Sequence, residues 1–206
     1  MLQILIQDIG DYIVKPGRTR IPLKDSILLT LWTVSNQESF RSIGDRFGLS
    51  KGNAYSIFID TCKTISLKVG KYIFWPRGQR AIINVNDFNS LRGQTSFPGV
   101  FGCVDCTHIP IPGPVNDNSF YNRKGFHSIL LQAICNSKQE FIDVFCGWPG
   151  SAHDARMWQN SPIFEKLDAG HNEILPPNSY LLGDSAYPLR EFIMVPFRDN
   201  GHLNIN

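Results

Sequence analysis

Apolar residues recur at helical spacing from Leu23 to Trp32 and again from Phe40 to Ile65, so the first half of the chain reads as helical. Pro16-Gly17 and Pro22 mark a loop before these stretches, and Pro76-Arg77-Gly78 marks a break after them. Residues 79–98 read as a connector with a short helix around Val85–Leu91. The pattern then changes. Val100–Ile111 is an apolar run with β-branched residues, and Ser128–Cys135 and Phe141–Cys146 read as strands joined by a turn at Asn136-Ser137-Lys138. Ser151–Trp158 reads as a helix start, Tyr180-Leu181-Leu182-Gly183 as a short buried strand, and a further helix is expected after it. Three strands, a helix, a strand and a helix predict an α/β or α+β sheet domain whose first strands are antiparallel. The expected organisation is a helical region over 1–78, a connector over 79–98 and a sheet domain over 99–206.

Composition narrows the class. With 206 residues, 42% apolar and 18% charged, the chain can bury a core without disulfide or metal staples and is not disordered. Its longest apolar run falls far short of the ~20 residues of a membrane helix. The start, Met1-Leu2-Gln3-Ile4-Leu5-Ile6-Gln7-Asp8, has neither the basic region nor the cleavage site of a secretory signal. Five cysteines at irregular spacing point to reduced thiols in an intracellular compartment. The net charge of +2 hides an asymmetry: residues 1–98 carry 13 Lys/Arg against 7 Asp/Glu, and residues 99–206 carry 7 against 11. A basic module suits an anionic partner such as nucleic acid. An acidic one repels it unless its carboxylates hold cations. Two solvated surfaces that simply differ would give the same count.

Residues 40–59 have the pattern of a helix-turn-helix. Phe40–Phe47 is the first helix, Gly48-Leu49-Ser50 the turn, and Lys51 starts the second helix. Gly44 and Ala54 supply small side chains where the helices touch, Gly48 tolerates positive φ, and Ser50 caps the second helix. Ile43, Phe47, Leu49 and Ile57 fill the small core. Lys51, Asn53 and Tyr55 then face a DNA groove or its phosphates. A plain helical hairpin shares this pattern, but the full set of matches and the basic context point to DNA binding.

The sheet half carries three notable carboxylates. On a strand, Asp105 shares a face with Phe101, Cys103, Thr107 and Ile109. If buried there it needs compensation, from a divalent cation or from a partner such as His108 or an arginine. Asp184 leaves the short strand at 180–183, where it can meet a carboxylate on a neighbouring strand. It or Ser185 could equally cap a helix with Pro188 in its first turn. Ser151 and Asp154 have capping-box spacing, although His153 beside Asp154 is a pair that metal sites use. Carboxylates of this kind serve phosphodiester cleavage when they hold two Mg²⁺ or Mn²⁺ ions about 4 Å apart. Tyr121-Asn122-Arg123-Lys124-Gly125-Phe126-His127 is a basic loop in which Arg123 and Lys124 could hold phosphate, or a solvated loop with Gly125 as its turn residue. Cys103 and Cys106 point to opposite strand faces and are core cysteines rather than zinc ligands. Ser151, His153 and Asp154 are too close in sequence to form a catalytic triad.

Four segments occur in order: Phe101-Gly102-Cys103-Val104-Asp105-Cys106-Thr107-His108-Ile109, Tyr121 to Ser128, Gly147-Trp148-Pro149-Gly150-Ser151-Ala152-His153-Asp154, and Leu181-Leu182-Gly183-Asp184-Ser185-Ala186-Tyr187-Pro188. Together they resemble the PIF/Harbinger transposases and the nucleases derived from them. The resemblance is close over 97–206 and looser over the helix-turn-helix. It implies an RNase H-like mixed-sheet catalytic domain with a DDE-type acidic site and divalent Mg²⁺ or Mn²⁺. Asp105 matches the first acid and Asp184 the acid after the fourth strand, while Asp154 matches a further position often assigned to metal. The resemblance also implies a nuclear protein, with the cytoplasm as a second location, that acts on DNA with a Myb/SANT-like DNA-binding partner. Cys106 stands where the family more often has Gly. The family's final catalytic Glu lies on a helix beyond the segment matching Val195–Leu203, and this sequence ends at Asn206; Glu165, Glu173 and Glu191 do not match that motif. The expectation is therefore a metal-dependent nuclease. The competing accounts are a non-catalytic DNA-binding or adaptor protein, and an unrelated role for a helical hairpin joined to an α/β domain.

Overall fold

A computed structural model describes residues 2–13, 21–91 and 97–197, with side chains from Ile21 onward and for residues 2–9. The Pro16-Gly17 loop lies outside the described residues. The chain forms two compact units, 1–72 and 73–206.

The first unit contains α1 (Leu2–Ile13), α2 (Leu23–Ser35), α3 (Phe40–Phe47), α4 (Lys51–Ser66) and the short α5 (Val69–Tyr72). The sequence pattern did not single out α1. Leu29, Ile43 and Ala54 are buried at the centre, and Trp32, Phe40, Phe47, Leu49, Ile57 and Phe58 pack round them. Local chemistry sets the limits of α3 and α4. The Ser39 hydroxyl accepts from the Ser42 amide at 3.3 Å to start α3. Gly48, at φ 65°, ends it in the left-handed conformation, and the Leu49 amide donates back to the Gly44 carbonyl at 2.8 Å. Ser50 then starts α4 by accepting from the Asn53 amide at 3.2 Å. Gly44 is small for a backbone reason, since a Cβ there would lie 2.6 Å from the Leu49 carbonyl oxygen. Arg46 places its guanidinium 4.3 Å above the Trp32 ring and reaches Glu38 at 3.5 Å.

The second unit is built on a five-stranded sheet of β1 (Val100–Pro110), β2 (Ser128–Cys135), β3 (Phe141–Pro149), β4 (Tyr180–Leu182) and β5 (Ile193–Met194). Its order is β3-β2-β1-β4-β5. The β3–β2 and β2–β1 pairs are antiparallel, and the β1–β4 and β4–β5 pairs are parallel. This mixed sheet has the RNase H-like arrangement that the resemblance implies. Phe101, Val104, Ile134 and Leu181 from the strands are buried with Trp158, Ile163 and Leu167 from α7 (Asp154–Gln159) and α8 (Pro162–Ile174). Gly102 keeps β1 close to both neighbours, because a Cβ would meet Ile134 at 2.9 Å and Leu181 at 3.2 Å.

Several expectations need correction. The 79–98 segment includes α6 (Gln79–Ser90), which starts earlier than the helix expected at Val85–Leu91. It belongs to the second unit, with Asn84 donating its side-chain amide to the Phe101 carbonyl of β1. The helix expected from Ser151 starts at Asp154. His153 occupies the cap position without a side-chain cap bond, so the Ser151 capping box does not form. No helix follows Asp184 in the described residues. The chain instead turns at once and returns as β5, two residues too short to carry a strand signal. α8 was not anticipated, although Ser161 caps it at 3.2 Å and Pro162 opens it.

The contact at Gly44 generates a direct prediction. Gly44→Ala should cost about 1–3 kcal/mol of stability in urea unfolding of the chain, because the backbone at Leu49 has to move. Gly52→Ala on α4, where a Cβ meets nothing within 4 Å, should cost none.

Candidate active site

β1 lies between β2 and β4, and the acidic residues gather round it. The parallel register pairs Cys103 with Leu182, the last residue of β4, so Asp105 and Asp184 each lie two residues beyond a paired position. Asp105 is exposed, and its carboxylate accepts from the Cys106 amide at 2.8 Å. This corrects the expectation of a buried carboxylate. From Cys103 onward the face shared by Cys103, Asp105, Thr107 and Ile109 is open, and only Phe101 is covered, under Trp75 at 4.9 Å between ring centroids. Asp184 is also exposed. Its carboxylate accepts from the Ala186 amide at 2.9 Å, and its carbonyl accepts from Tyr187 at 3.2 Å, which closes a tight turn directly after β4. Gly183 leaves room for that turn, since a Cβ would lie 3.0 Å from Ile193 and 3.1 Å from the Tyr187 ring.

Asp154 is half-buried at the start of α7. Burial raises its carboxyl pKa above the usual range, and the charges of Asp184 and Asp105 raise it further, while His108 and Arg123 pull the other way. The charges of Asp184 and Asp105 therefore reach Asp154. Hard carboxylate oxygens suit Mg²⁺ or Mn²⁺. Among the described residues no three His, Cys, Asp or Glu side chains close into a ready-made metal cluster.

The basic loop over 121–128 sits beside this acidic site. Asn122 is buried. Its side-chain oxygen accepts from the Lys124 amide at 2.8 Å, and its amide donates to the Ser128 hydroxyl at 2.8 Å. The same hydroxyl lies 2.9 Å from His108 Nδ1. Gly125, at φ 85°, is the turn residue. Arg123 and Lys124 are exposed, and Arg123 is near enough to act on Asp154; Lys124 shows no such link. In the first unit, Lys51, Asn53 and Tyr55 are all exposed at the start of α4. Helical spacing puts Tyr55 over Lys51 and turns Asn53 away from both. The Tyr55 ring also packs edge-on against Phe40 at 5.2 Å, so it is not free for a partner alone.

Sequence reasoning missed what lies beneath the carboxylates. The Cys106 thiol accepts a hydrogen bond from the Tyr187 hydroxyl at 3.3 Å and lies 3.9 Å from Met157 Sδ. Burial pushes this thiol up to about 12, the Tyr187 bond opposes that rise, and the charges of Asp154, Asp105 and Asp184 add to it. Burial also raises the Tyr187 phenol well above its usual range. Gln132 stands opposite Cys106 in the β1–β2 register, fully buried, with neither amide atom bonded. The sequence signal for Cys106 was its departure from the family's usual Gly. Cys103 and Cys106 do lie on opposite faces of β1, but Cys103 is exposed rather than the core cysteine expected, and only Cys106 is partly covered. Glu165 and Glu173 lie on α8, and Glu191 pairs with His171 at 3.6 Å; none is among the groups that act on Asp154.

Comparison with known proteins gives this geometry a context. The rat protein "Putative nuclease HARBI1" is 28% identical over 93% of this chain and 54% of its own length. The human protein of the same name is 29% identical over the same shares. "Protein ALP1-like" of Arabidopsis thaliana is 27% identical over 92% of this chain and 50% of its own. The chain thus spans about half the length of these curated relatives. A solved pre-cleavage Mos1 transpososome aligns with 88% of this chain and 61% of its own at 16% identity, with a TM-score of 0.31. Residues 104–205 match the family described as DDE superfamily endonuclease, and the chain carries a DDE superfamily endonuclease domain over that span.

The raised Asp154 carboxyl fixes the sign of a pH effect. A folded pKa above the unfolded one means that ionisation opposes folding. The penalty is absent below the unfolded value, grows as pH rises towards the folded value, and stays in full above it. Asp154→Asn should therefore raise the melting temperature relative to the native chain at pH 7, and this gain should disappear at pH 3.

Proposed function

We propose that this DDE-family domain is a transposase-derived nuclease that hydrolyses DNA phosphodiester bonds with divalent metal. The observation that carries the reading is the convergence of Asp105, Asp184 and Asp154 from a central strand, the turn beside it and a helix start. They are close enough for the first two to disfavour the charge on the third. Asp105 and Asp184 are the principal ligands on this reading, and Asp154 contributes to the same site. Mg²⁺ or Mn²⁺ supplies Lewis-acid activation of water and charge neutralisation at the phosphate.

The chain's own residues do the rest. Arg123, beside Asp154, offsets the negative field of the acidic unit and meets the backbone phosphate on the approach side; Lys124 extends that basic surface. The Asn122–Ser128–His108 network holds the loop in place. The α3–turn–α4 unit acts as a helix-turn-helix, with Lys51, Asn53 and Tyr55 on the DNA side. A nuclear location and a Myb/SANT-like partner belong to the same proposal.

Incubating the chain with supercoiled DNA should give nicking that needs Mg²⁺ or Mn²⁺ and stops with EDTA. Asp105→Asn or Asp184→Asn should each lower the rate by about a hundredfold or more. Metal-dependent nicking that survives both changes would remove the acidic site from the reaction. Lys51→Ala should flatten the slope of log affinity for DNA against log salt by about 0.9, the value of one lost phosphate contact.

A further inference from the structure

Cys106 touches the segments that carry both of the other carboxylates. The Tyr187 hydroxyl donates to its sulfur at 3.3 Å, and the thiol reaches Met157 Sδ at 3.9 Å. A thiol has one proton to give and lone pairs to receive, so it can serve both neighbours together, accepting from the phenol and donating to the thioether. Neither neighbour has much freedom. Tyr187 is 3% exposed and Met157 is fully buried.

Each neighbour is coupled to an aspartate. Tyr187 closes the turn that begins at Asp184, donating its amide to the Asp184 carbonyl at 3.2 Å. Met157 lies on α7 three residues after Asp154, and its amide donates to His153, the residue before Asp154, at 3.1 Å. The third carboxylate, Asp105, is the chain neighbour of Cys106 on β1. Alongside the Trp158–Tyr187 ring contact, the Asp184 turn and α7 thus meet β1 at one sulfur atom. Removing it leaves a gap that the Tyr187 ring and α7 can move into, and each carries its carboxylate with it. Interiors pack tightly enough for a change of one heavy atom to be felt.

We infer that Cys106 is a positioning residue whose thiol sets the spacing of Asp105, Asp154 and Asp184 and so their affinity for a divalent cation. The inference rests on the reading that these carboxylates bind metal. It assigns Cys106 no contact with the ion or the substrate. Outer partners of metal ligands typically change affinity by 10–100-fold when removed.

The test measures Mn²⁺ binding to the purified chain by the electron paramagnetic resonance signal of free Mn²⁺, with metal-free melting curves recorded in parallel. Cys106→Ala should weaken Mn²⁺ binding about tenfold or more, and so should Tyr187→Phe, which removes a single oxygen and keeps the ring. Cys106→Ser keeps a donor and an acceptor and should recover most of the loss, although its metal-free melting temperature should be close to that of Cys106→Ala. Native affinity in Cys106→Ala or Tyr187→Phe would overturn the inference, as would a serine variant as weak as the alanine one. Asp105→Asn separates the two levels. If it abolishes Mn²⁺ uptake while Cys106→Ala leaves uptake native, the metal-site reading stands and the positioning role fails. If the native chain takes up no Mn²⁺, both fail together.

Discussion

The second unit depends on β1 being paired on both edges. An antiparallel neighbour on one side and a parallel one on the other fix the register of β1. A one-residue slip would exchange its two faces. The face carrying Val104 and Cys106 packs into the unit, and the face carrying Cys103, Asp105 and Thr107 opens outward. β4, paired to the other edge of β1, ends at Leu182, and the turn that carries Asp184 follows at once. The position of the acidic residues thus depends on strand order together with the local turn at Asp184. α7 supplies the third carboxylate because its other residues, Met157 and Trp158, are anchored in the core.

What the sequence revealed follows the strength of local signals. β2 was read to its exact limits, because a short, largely apolar run is ended by the turn at Asn136-Ser137-Lys138. α3 and the start of α4 were also read correctly, because Ser39, Gly48 and Ser50 mark their ends by hydrogen bonding and backbone geometry. β5 was not visible, since two residues have no period and are held only by pairing with β4. The helix expected after Asp184 failed for a tertiary reason. Pro188 and Ser185 fit a helix start, but Tyr187 is drawn into the core against Trp158, at 5.9 Å between ring centroids, and onto the Cys106 thiol. A helix there would have turned that ring elsewhere. Asp105 was placed on the correct strand face, but whether that face was covered depended on what packs there, and Trp75 stacks on Phe101 while Asp105 stays exposed.

The charge asymmetry read from the sequence acquires a physical basis in the acidic unit. Burial first, and then the charges of Asp184 and Asp105, disfavour ionisation of Asp154. His108 and Arg123 oppose it. Both are held indirectly, His108 through Ser128, and the Arg123 loop through Asn122 on the same hydroxyl. One buried serine therefore links a strand residue and a basic loop that act on the same carboxylate. This explains why Ser128 and Asn122 are buried polar residues although neither is part of the hydrophobic core.

The departures from ordinary packing gather in one region. Gln132 is fully buried with an unbonded amide, and the Trp158 indole N–H is likewise unpaired; the other such side chain, Trp32, belongs to the first unit. Each unsatisfied group costs about 1–3 kcal/mol. Gln132 sits directly across the ladder from Cys106, and Trp158 follows Met157 on α7. Both are thus neighbours, through the ladder or the chain, of the Cys106–Met157 contact, while Trp158 itself belongs to the hydrophobic core. Folded proteins retain such costs mainly where a site requires them. On the proposed reading of the carboxylates, these unpaired groups fall beside the same site, by an argument independent of its sequence motif.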